Sequence, residues 1–194
     1  MKKNIKEVLM PEKTVSCLSN LKGMTVRDIS ITTAGLPDKQ HDSSHNMGFL
    51  LWICTEQGNY VIYSNPQNLF FPQLVVSREG DYQNEEGYLE EKVGIKDALD
   101  CSWHSDKIVS INIVRDAIFI TTDSILTELK VDVGIKLKFN EDEILIMNRD
   151  SSLGIMEYWL GKSMDWSNDN NNLLQTYMYD PDELQKVHRV EWEI

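Results

Sequence analysis

The chain has 194 residues, of which 41% are hydrophobic and 26% charged, fractions that are ordinary for a folded domain. Its 31 Asp and Glu residues exceed its 19 Lys and Arg residues, and the formal net charge is −12. This balance argues against binding to nucleic acid or to anionic lipid, because both require clustered cations. We predict a single domain over residues 1–194, long enough to bury a core without disulfides.

The cysteines and the first residues indicate the cellular compartment. Cys17, Cys54 and Cys101 are widely spaced and form neither a C-x-x-C pair nor a disulfide framework, which fits a reducing environment. Residues 1–7 carry positive charge without a following apolar segment, so no signal peptide is predicted. No apolar stretch is long enough to cross a bilayer. The sequence therefore predicts a cytoplasmic protein with no membrane partner.

The first part of the chain predicts a short helix, a strand and a polar loop. Residues 6–10 fit a helix that stops before Pro11, because the residue before a proline disfavours helical backbone. Residues 26–33 alternate between apolar and polar side chains and predict a strand with an irregularity near Asp28. Residues 35–46 have the Gly, Pro, Ser and Asp content of an exposed loop.

Residues 49–63 carry the clearest structural signal. Apolar runs at 49–54 and 60–63 flank a short turn-like sequence that contains Gly58. Aromatic and β-branched residues on both sides of such a turn predict a β-hairpin. Because both strands are apolar on both faces, we expect this hairpin to be central and covered.

The rest of the chain predicts more strands and two helices. Residues 74–76 favour a short strand, and the acidic region that follows favours a helix over about 88–99, although Gly94 weakens it. A C-terminal helix is predicted from Asp180 through Val187, with an edge strand at 189–194 as the alternative. Between them lies a predicted meander of short antiparallel strands at 108–114, 117–122, 126–133, 135–139 and 144–147.

Together these elements predict a mainly β fold, with α+β as the alternative class, in which antiparallel hairpins and a meander are accompanied by a few short helices. Gly48 and Gly134 each precede an alternating apolar strand, a polar acidic turn and four further apolar residues. This similarity predicts two related halves at about 15–80 and 101–165. The alternative is that unrelated hairpins share the same pattern.

Two histidines form the best candidate for a metal site. His41 and His45 are spaced H-x-x-x-H, and on a helix two histidines at this spacing share one face and bind a divalent cation. Their surroundings are rich in Gly, Pro and Ser and lack the H-E-x-x-H pattern of metalloproteases. An exposed polar loop is therefore the favoured interpretation.

A second group consists of candidate partner-binding residues. Clustered carboxylates surrounded by charge are expected to be solvated, whereas acid–base catalysis requires one carboxyl kept protonated by burial. Exposed tryptophans beside acidic residues suit protein recognition, since Trp and Tyr dominate binding hot spots. Ordinary acidic surface is the simpler alternative, and Trp52 and Trp159 are predicted to be core. The candidates are Glu85, Glu86, Glu90, Glu91, Trp103 and Trp166.

No catalytic or cofactor motif is present. His104, Ser105 and Asp106 are adjacent in sequence, but nucleophilic triads are assembled in space, so adjacency carries little weight. Neither a G-x-S-x-G elbow nor a phosphate-binding glycine loop occurs. We therefore predict no catalytic residues and no cofactor.

These observations favour a non-enzymatic acidic module that docks on a basic partner protein. Small acidic bacterial immunity and inhibitor proteins have this general character, although no motif assigns the chain to such a family. One alternative is a small-ligand binder or enzyme with a pocket between the two β halves and a metal at His41 and His45. Another is an assembly component that oligomerises through an edge strand.

Overall fold

The computed structural model describes residues 2–33, 45–65, 73–82, 92–94, 106–148, 156–161 and 184–194. Strands dominate these residues and most strand pairs are antiparallel, so the predicted mainly β fold is confirmed. In chain order the elements are β1 (Lys2–Val8), α1 (Glu12–Leu21), β2 (Thr25–Thr33), β3 (His45–Thr55), β4 (Gly58–Asn65), β5 (Gln73–Arg78), a 3-10 turn (Glu79–Asp81), β6 (Lys92–Gly94), β7 (Asp106–Lys107), β8 (Ser110–Thr122), β9 (Ile125–Lys138), β10 (Glu143–Asn148), β11 (Met156–Gly161) and β12 (Leu184–Glu193).

A first antiparallel meander consists of β2, β3, β4 and β5. The hairpin predicted at 49–63 is confirmed as β3 and β4, joined by a tight turn that ends at Gly58. This glycine has a φ of 127°, a conformation that side-chain-bearing residues rarely adopt. The strands predicted at 26–33 and 74–76 are confirmed as β2 and β5. The irregularity predicted near Asp28 is a register shift between Val26 and Asp28.

A second antiparallel meander consists of β8, β9, β10 and β11. The sequence predicted separate strands at 108–114 and 117–122, but β8 runs unbroken from one into the other. It also predicted separate strands at 126–133 and 135–139, but β9 runs unbroken from one into the other, so the two predicted breaks were wrong. Both strands continue because they pair with each other along almost their whole length. A register shift after Val114 leaves Val133 as an extra residue of β9, and this bulge absorbs the change in the apolar pattern.

The two meanders contribute to one apolar core. Hydrogen bonds join β11 to β3, and the backbone groups of Gly23 and Met24 bond to Ile108 at the start of the second meander. Each of the eight meander strands places at least two side chains in the same buried cluster: Val26, Ile29, Ile31, Leu51, Ile53, Tyr60, Ile62, Leu74 and Val76 from the first, and Ile111, Ile113, Ile135, Leu137, Ile144, Ile146, Met156 and Tyr158 from the second. The relation between two halves at about 15–80 and 101–165 stays a prediction.

The N-terminal segment corrects one prediction. Residues 6–10 do not form a helix, because β1 pairs in parallel with β9 and this distant partner outweighs the local preference. The helix α1 begins after Pro11 instead. Its buried residues Thr14, Leu18 and Leu21 recur at helical spacing, and Thr14 Oγ1 accepts a hydrogen bond from the backbone N–H of Val76 on β5.

Two further helix predictions fall partly on described strands. Residues 92–94 form β6, which pairs with β2, so the helix predicted at 88–99 is wrong at these positions. Residues 184–187 belong to β12, which pairs antiparallel with β8 and confirms the alternative of a C-terminal strand. The remainder of both predicted helices lies outside the described residues. In the described part of the chain, no helix is long and apolar enough to span a membrane.

Candidate functional site

Of the residues predicted to bind a metal or a partner, only His45 lies on a described strand. His41, Glu85, Glu86, Glu90, Glu91, Trp103 and Trp166 lie outside the described residues. His45 is the first residue of β3, where its backbone lies opposite Trp159 of β11. The loop predicted at 35–46 is therefore wrong at residues 45 and 46, and the rest of it lies outside the described residues. Within the described ranges, no group of three or more His, Cys, Asp or Glu side chains is arranged to hold a metal ion. The metal pair and the acidic surface stay predictions.

The second meander continues beyond the core as a smaller sheet. Past the Val133 bulge, residues 115–122 of β8 and 125–132 of β9 pair with each other, with β12 on one side and β1 on the other. We call this four-stranded unit, in the order β12-β8-β9-β1, the extension sheet. Its charged side chains were not singled out from the sequence.

A buried ion pair holds β12 to β8. Arg189 Nε and Nη2 donate to the two carboxylate oxygens of Asp116, both over 2.7 Å, and the two residues lie directly opposite each other. The Arg189 side chain is 7% exposed and the Asp116 side chain is fully buried. Two parallel charge-assisted bonds fix the guanidinium in one orientation. Because each charged group is neutralised by the other through two hydrogen bonds, the pair is suited to structural support rather than to proton transfer.

A second ion pair closes the end of the core. Arg115 Nε donates to Asp132 Oδ1 over 2.6 Å, and the backbone N–H of Met10 donates to Asp132 Oδ2 over 2.9 Å. The Arg115 guanidinium also lies 4.0 Å from the centre of the Trp192 ring, a favourable cation–π arrangement. These contacts connect β8, β9, β12 and the segment that leads into α1.

Further charged side chains of β8, β9 and β12 bond to one another. Lys136 of β9 donates to Glu191 of β12, whose other carboxylate oxygen accepts a hydrogen bond from the Asn112 amide. Lys22 donates to Glu193, and this contact lowers the pKa of the Glu193 carboxyl below its usual value. The charges of these strands are thus largely used within the protein.

An aromatic cluster covers the outer face of the β3–β4 hairpin. Trp52, predicted to be core, is 9% exposed and packs edge-on against Tyr82 with ring centres 6.0 Å apart. Tyr63 lies 5.1 Å from the same Tyr82 ring, and burial raises the pKa of its phenol. Together with Leu50 and Val61, these rings form a small apolar cluster that is separate from the main core.

Charge is distributed unevenly along the chain. The described residues include 15 Lys and Arg against 17 Asp and Glu, a net of −2. The remaining segments contain 4 Lys and Arg against 14 Asp and Glu, a net of −10. Residues 83–91 alone contain Glu85, Glu86, Glu90 and Glu91 and no basic residue. We call the segments 34–44, 83–91, 95–105 and 162–183, which carry this excess of acidic residues, the acidic connecting segments.

The sequence carries a signal for the ion pairs. Arg115 and Asp116 interrupt an otherwise apolar alternating strand, and Asp132 stands between two valines. A charged residue inside such a run is a candidate for a buried pair, because burial without a partner is costly. Comparison with known proteins adds no assignment: no protein-family model, curated protein or solved structure matches the chain.

Proposed function

We propose that the protein is a non-enzymatic protein-binding module whose acidic connecting segments dock on a basic partner protein. The observation that carries this proposal is the concentration of acidic residues in two stretches of the sequence: residues 83–91 contain four glutamates and no basic residue, and residues 162–183 contain five acidic residues and one lysine. The described strands and helix, which we call the framework, are nearly neutral. A concentration of one sign of charge attracts a partner of the opposite sign and accelerates its association.

The pairing of charges within the framework supports this division. The buried carboxylates Asp116 and Asp132 are each held by an arginine, and the exposed Glu7 and Glu56 each contact a basic side chain. Residues 83–91 have no basic residue of their own to neutralise their four carboxylates. Their charge is therefore the part of the protein's field best suited to attract a partner.

The core is consistent with a supporting role for the framework. The inward side chains of both meanders belong to one cluster, and residues such as Ile31, Ile62, Ile113 and Ile146 are fully buried in it. A ligand pocket between the two halves would have to lie outside this cluster. The binding hypothesis requires no such pocket, because it places recognition on the connecting segments.

The proposal is tested by affinity capture from lysate of the source organism, followed by mass spectrometry. The tagged wild-type protein is expected to retain a basic protein at about 50 mM salt and to release it at about 500 mM, since salt screens exposed charges. The test variant carries E85Q, E86Q, E90Q and E91Q and is expected to bind the purified partner at least about tenfold more weakly.

The matched control carries the same loss of four charges on the framework. E12Q, E56Q, E141Q and E193Q change exposed glutamates in four different places, so this variant is expected to bind within about threefold of wild type if recognition is local. Equal weakening by both variants would reduce the proposal to a general charge effect. Retention of no basic protein, or of one insensitive to salt, would contradict it.

The tryptophans allow a second, independent test. If Trp103 and Trp166 are hot-spot residues, W103A and W166A should each weaken binding by about 2 kcal/mol while leaving urea unfolding unchanged. Loss of about 3–5 kcal/mol of folding stability, with binding of the folded fraction unchanged, would instead assign these side chains to the core.

A further inference from the structure

Within the described part of the chain, β1 lies at the edge of the sheet. Among the described residues only β9 pairs with β1, and residues 3–7 are all exposed. Ile5, at the centre of the strand, exposes 53% of its surface and is among the most exposed large hydrophobic residues of the described chain. An unpaired strand edge of this kind is a template for another strand, and natural proteins normally protect it.

We propose that β1 pairs antiparallel with β1 of a second copy of this chain, with Ile5 of one copy opposite Ile5 of the other. In this register the two extension sheets join into one continuous eight-stranded sheet, with strand order β12-β8-β9-β1 followed by its reverse. The exposed Ile5 side chains then cover each other on one face. The proposal concerns β1 alone and is independent of the acidic connecting segments.

The charges of β1 are complementary in this register. On the face that carries Ile5, Lys3 of each copy lies opposite Glu7 of the other, so the pairing contains two attractive contacts related by symmetry. On the opposite face, Lys6 lies beside Asn4 and Lys2 beside Val8. Cross-strand pairs of opposite charge stabilise a sheet, whereas like charges destabilise it. A shift of one residue in one direction would place Lys3 opposite Lys6, so the lysines disfavour that register, and a shift in the other direction would lose both pairs of Lys3 with Glu7.

Ion pairs already present within each copy extend this complementarity. Lys130 of β9 donates to Glu7 over 3.0 Å, and Lys3 contacts Glu128 of β9 over 2.7 Å. Pairing of β1 with its copy would therefore produce an alternating row of charges, Lys130, Glu7, then Lys3 and Glu128 of the second copy. Each exposed pair is weak alone, but a row in which every charge has opposite neighbours on both sides specifies one register.

The test measures self-association of the full chain by sedimentation equilibrium. The wild type is expected to dimerise with a dissociation constant of about 10–100 μM, as suits a small interface. In a K3E dimer, the new carboxylate of each copy would face Glu7 of the other copy. In an E7K dimer, the new ammonium group of each copy would face Lys3 of the other copy. Each variant alone should raise the dissociation constant at least about tenfold. An equimolar mixture of the two should restore association, because only the mixed dimer pairs opposite charges.

The mixture distinguishes pairing between copies from damage within one copy. K3E also disturbs the contact with Glu128, and E7K the contact with Lys130, inside each chain. Mixing the two variants cannot restore those internal contacts. K6E is the matched control: it makes the same charge change on the other face of β1 and should alter the dissociation constant less than about threefold. A wild type that stays monomeric at about 200 μM would overturn the proposal, as would a dimer that K3E and E7K leave intact or a mixture that stays dissociated.

Discussion

The two meanders fill the core in a similar way, with at least two side chains from every strand, but they differ in what lies beyond it. β2 and β3 have 9 and 11 residues, whereas β8 and β9 have 13 and 14. Past the bulge at Val133, the second meander exchanges inward apolar residues for Arg115 and Asp132. The difference indicates that the extension sheet adds buried ion pairs to an apolar cluster of its own, which includes Ile118, Leu129 and Val187, while the first meander packs mainly through apolar side chains and α1.

The largest effect is expected where the extension sheet depends on a buried pair. D116A should lower the free energy of unfolding by about 3–5 kcal/mol, because Arg189 would remain buried without its carboxylate. Urea unfolding followed by circular dichroism measures this loss. E56A removes an ion pair that is 63% exposed on both sides and should cost less than about 1 kcal/mol. Similar small losses for both variants would show that the extension sheet does not rely on the Arg189–Asp116 pair.

The similarity of the two cores is tested by removing corresponding side chains. Ile62 of β4 and Ile144 of β10 are both fully buried. I62A and I144A should each destabilise the protein by about 2–5 kcal/mol, through lost burial and a cavity. Chemical denaturation should place the two losses within about 1 kcal/mol of each other if both meanders belong to one cooperative core. Two separate transitions would contradict that single core.

Two glycines sharpen the comparison at the points where strands approach closely. A Cβ at Gly48 would meet the backbone oxygen of Thr32, whereas one at Gly134 would first meet the flexible Met147 sulfur. G48A should therefore cost about 3 kcal/mol and G134A about 1–2 kcal/mol in thermal or urea unfolding. Gly80 has open space around its Cβ position, so G80A serves as the control and should change stability by less than about 0.5 kcal/mol. The reverse order of the first two would contradict this account.

The smallest effect concerns the contact between β7 and the turn that follows β9. Desolvation acts to raise the pKa of Asp106, but hydrogen bonds from the backbone N–H groups of Lys107 and Asn140 and from the Asn140 amide hold it below the usual 3.8. A lowered pKa in the folded state adds stability at neutral pH that is lost as the pH falls through that pKa. D106N should therefore be less stable than wild type by up to about 1 kcal/mol at pH 7, and this difference should shrink near pH 3. A difference that does not change with pH would exclude the charge as its cause.

The mainly β fold and the β3–β4 hairpin could be predicted because alternation and turn residues are local signals. The N-terminal segment could not, since residues 6–10 become a strand only through pairing with β9, more than a hundred residues away. The helix α1 had a usable signal in the spacing of Thr14, Leu18 and Leu21 behind Pro11. Local preference and long-range pairing agree in the hairpin and conflict at the N-terminus.

The ion pairs depend on register in the same way. Arg189 and Asp116 are 73 residues apart, and only the pairing of β12 with β8 brings them together. The charged residues of β8 stood out within an apolar run, but the sequence does not say which partner each one meets. The acidic candidates could be named from composition alone, because four glutamates within nine residues need no structural context to be recognised.

The parallel pairing of β1 with β9 has a consequence for the order of folding. Lys2 pairs with Ile125 and Val8 with Val131, so β1 is synthesised long before its partner strand exists. Closing so long a loop carries a large entropic cost, and contacts of high sequence separation form slowly. We therefore expect β1 to join the sheet after the folding transition state. Substitutions in β1 should then accelerate unfolding more than they slow folding.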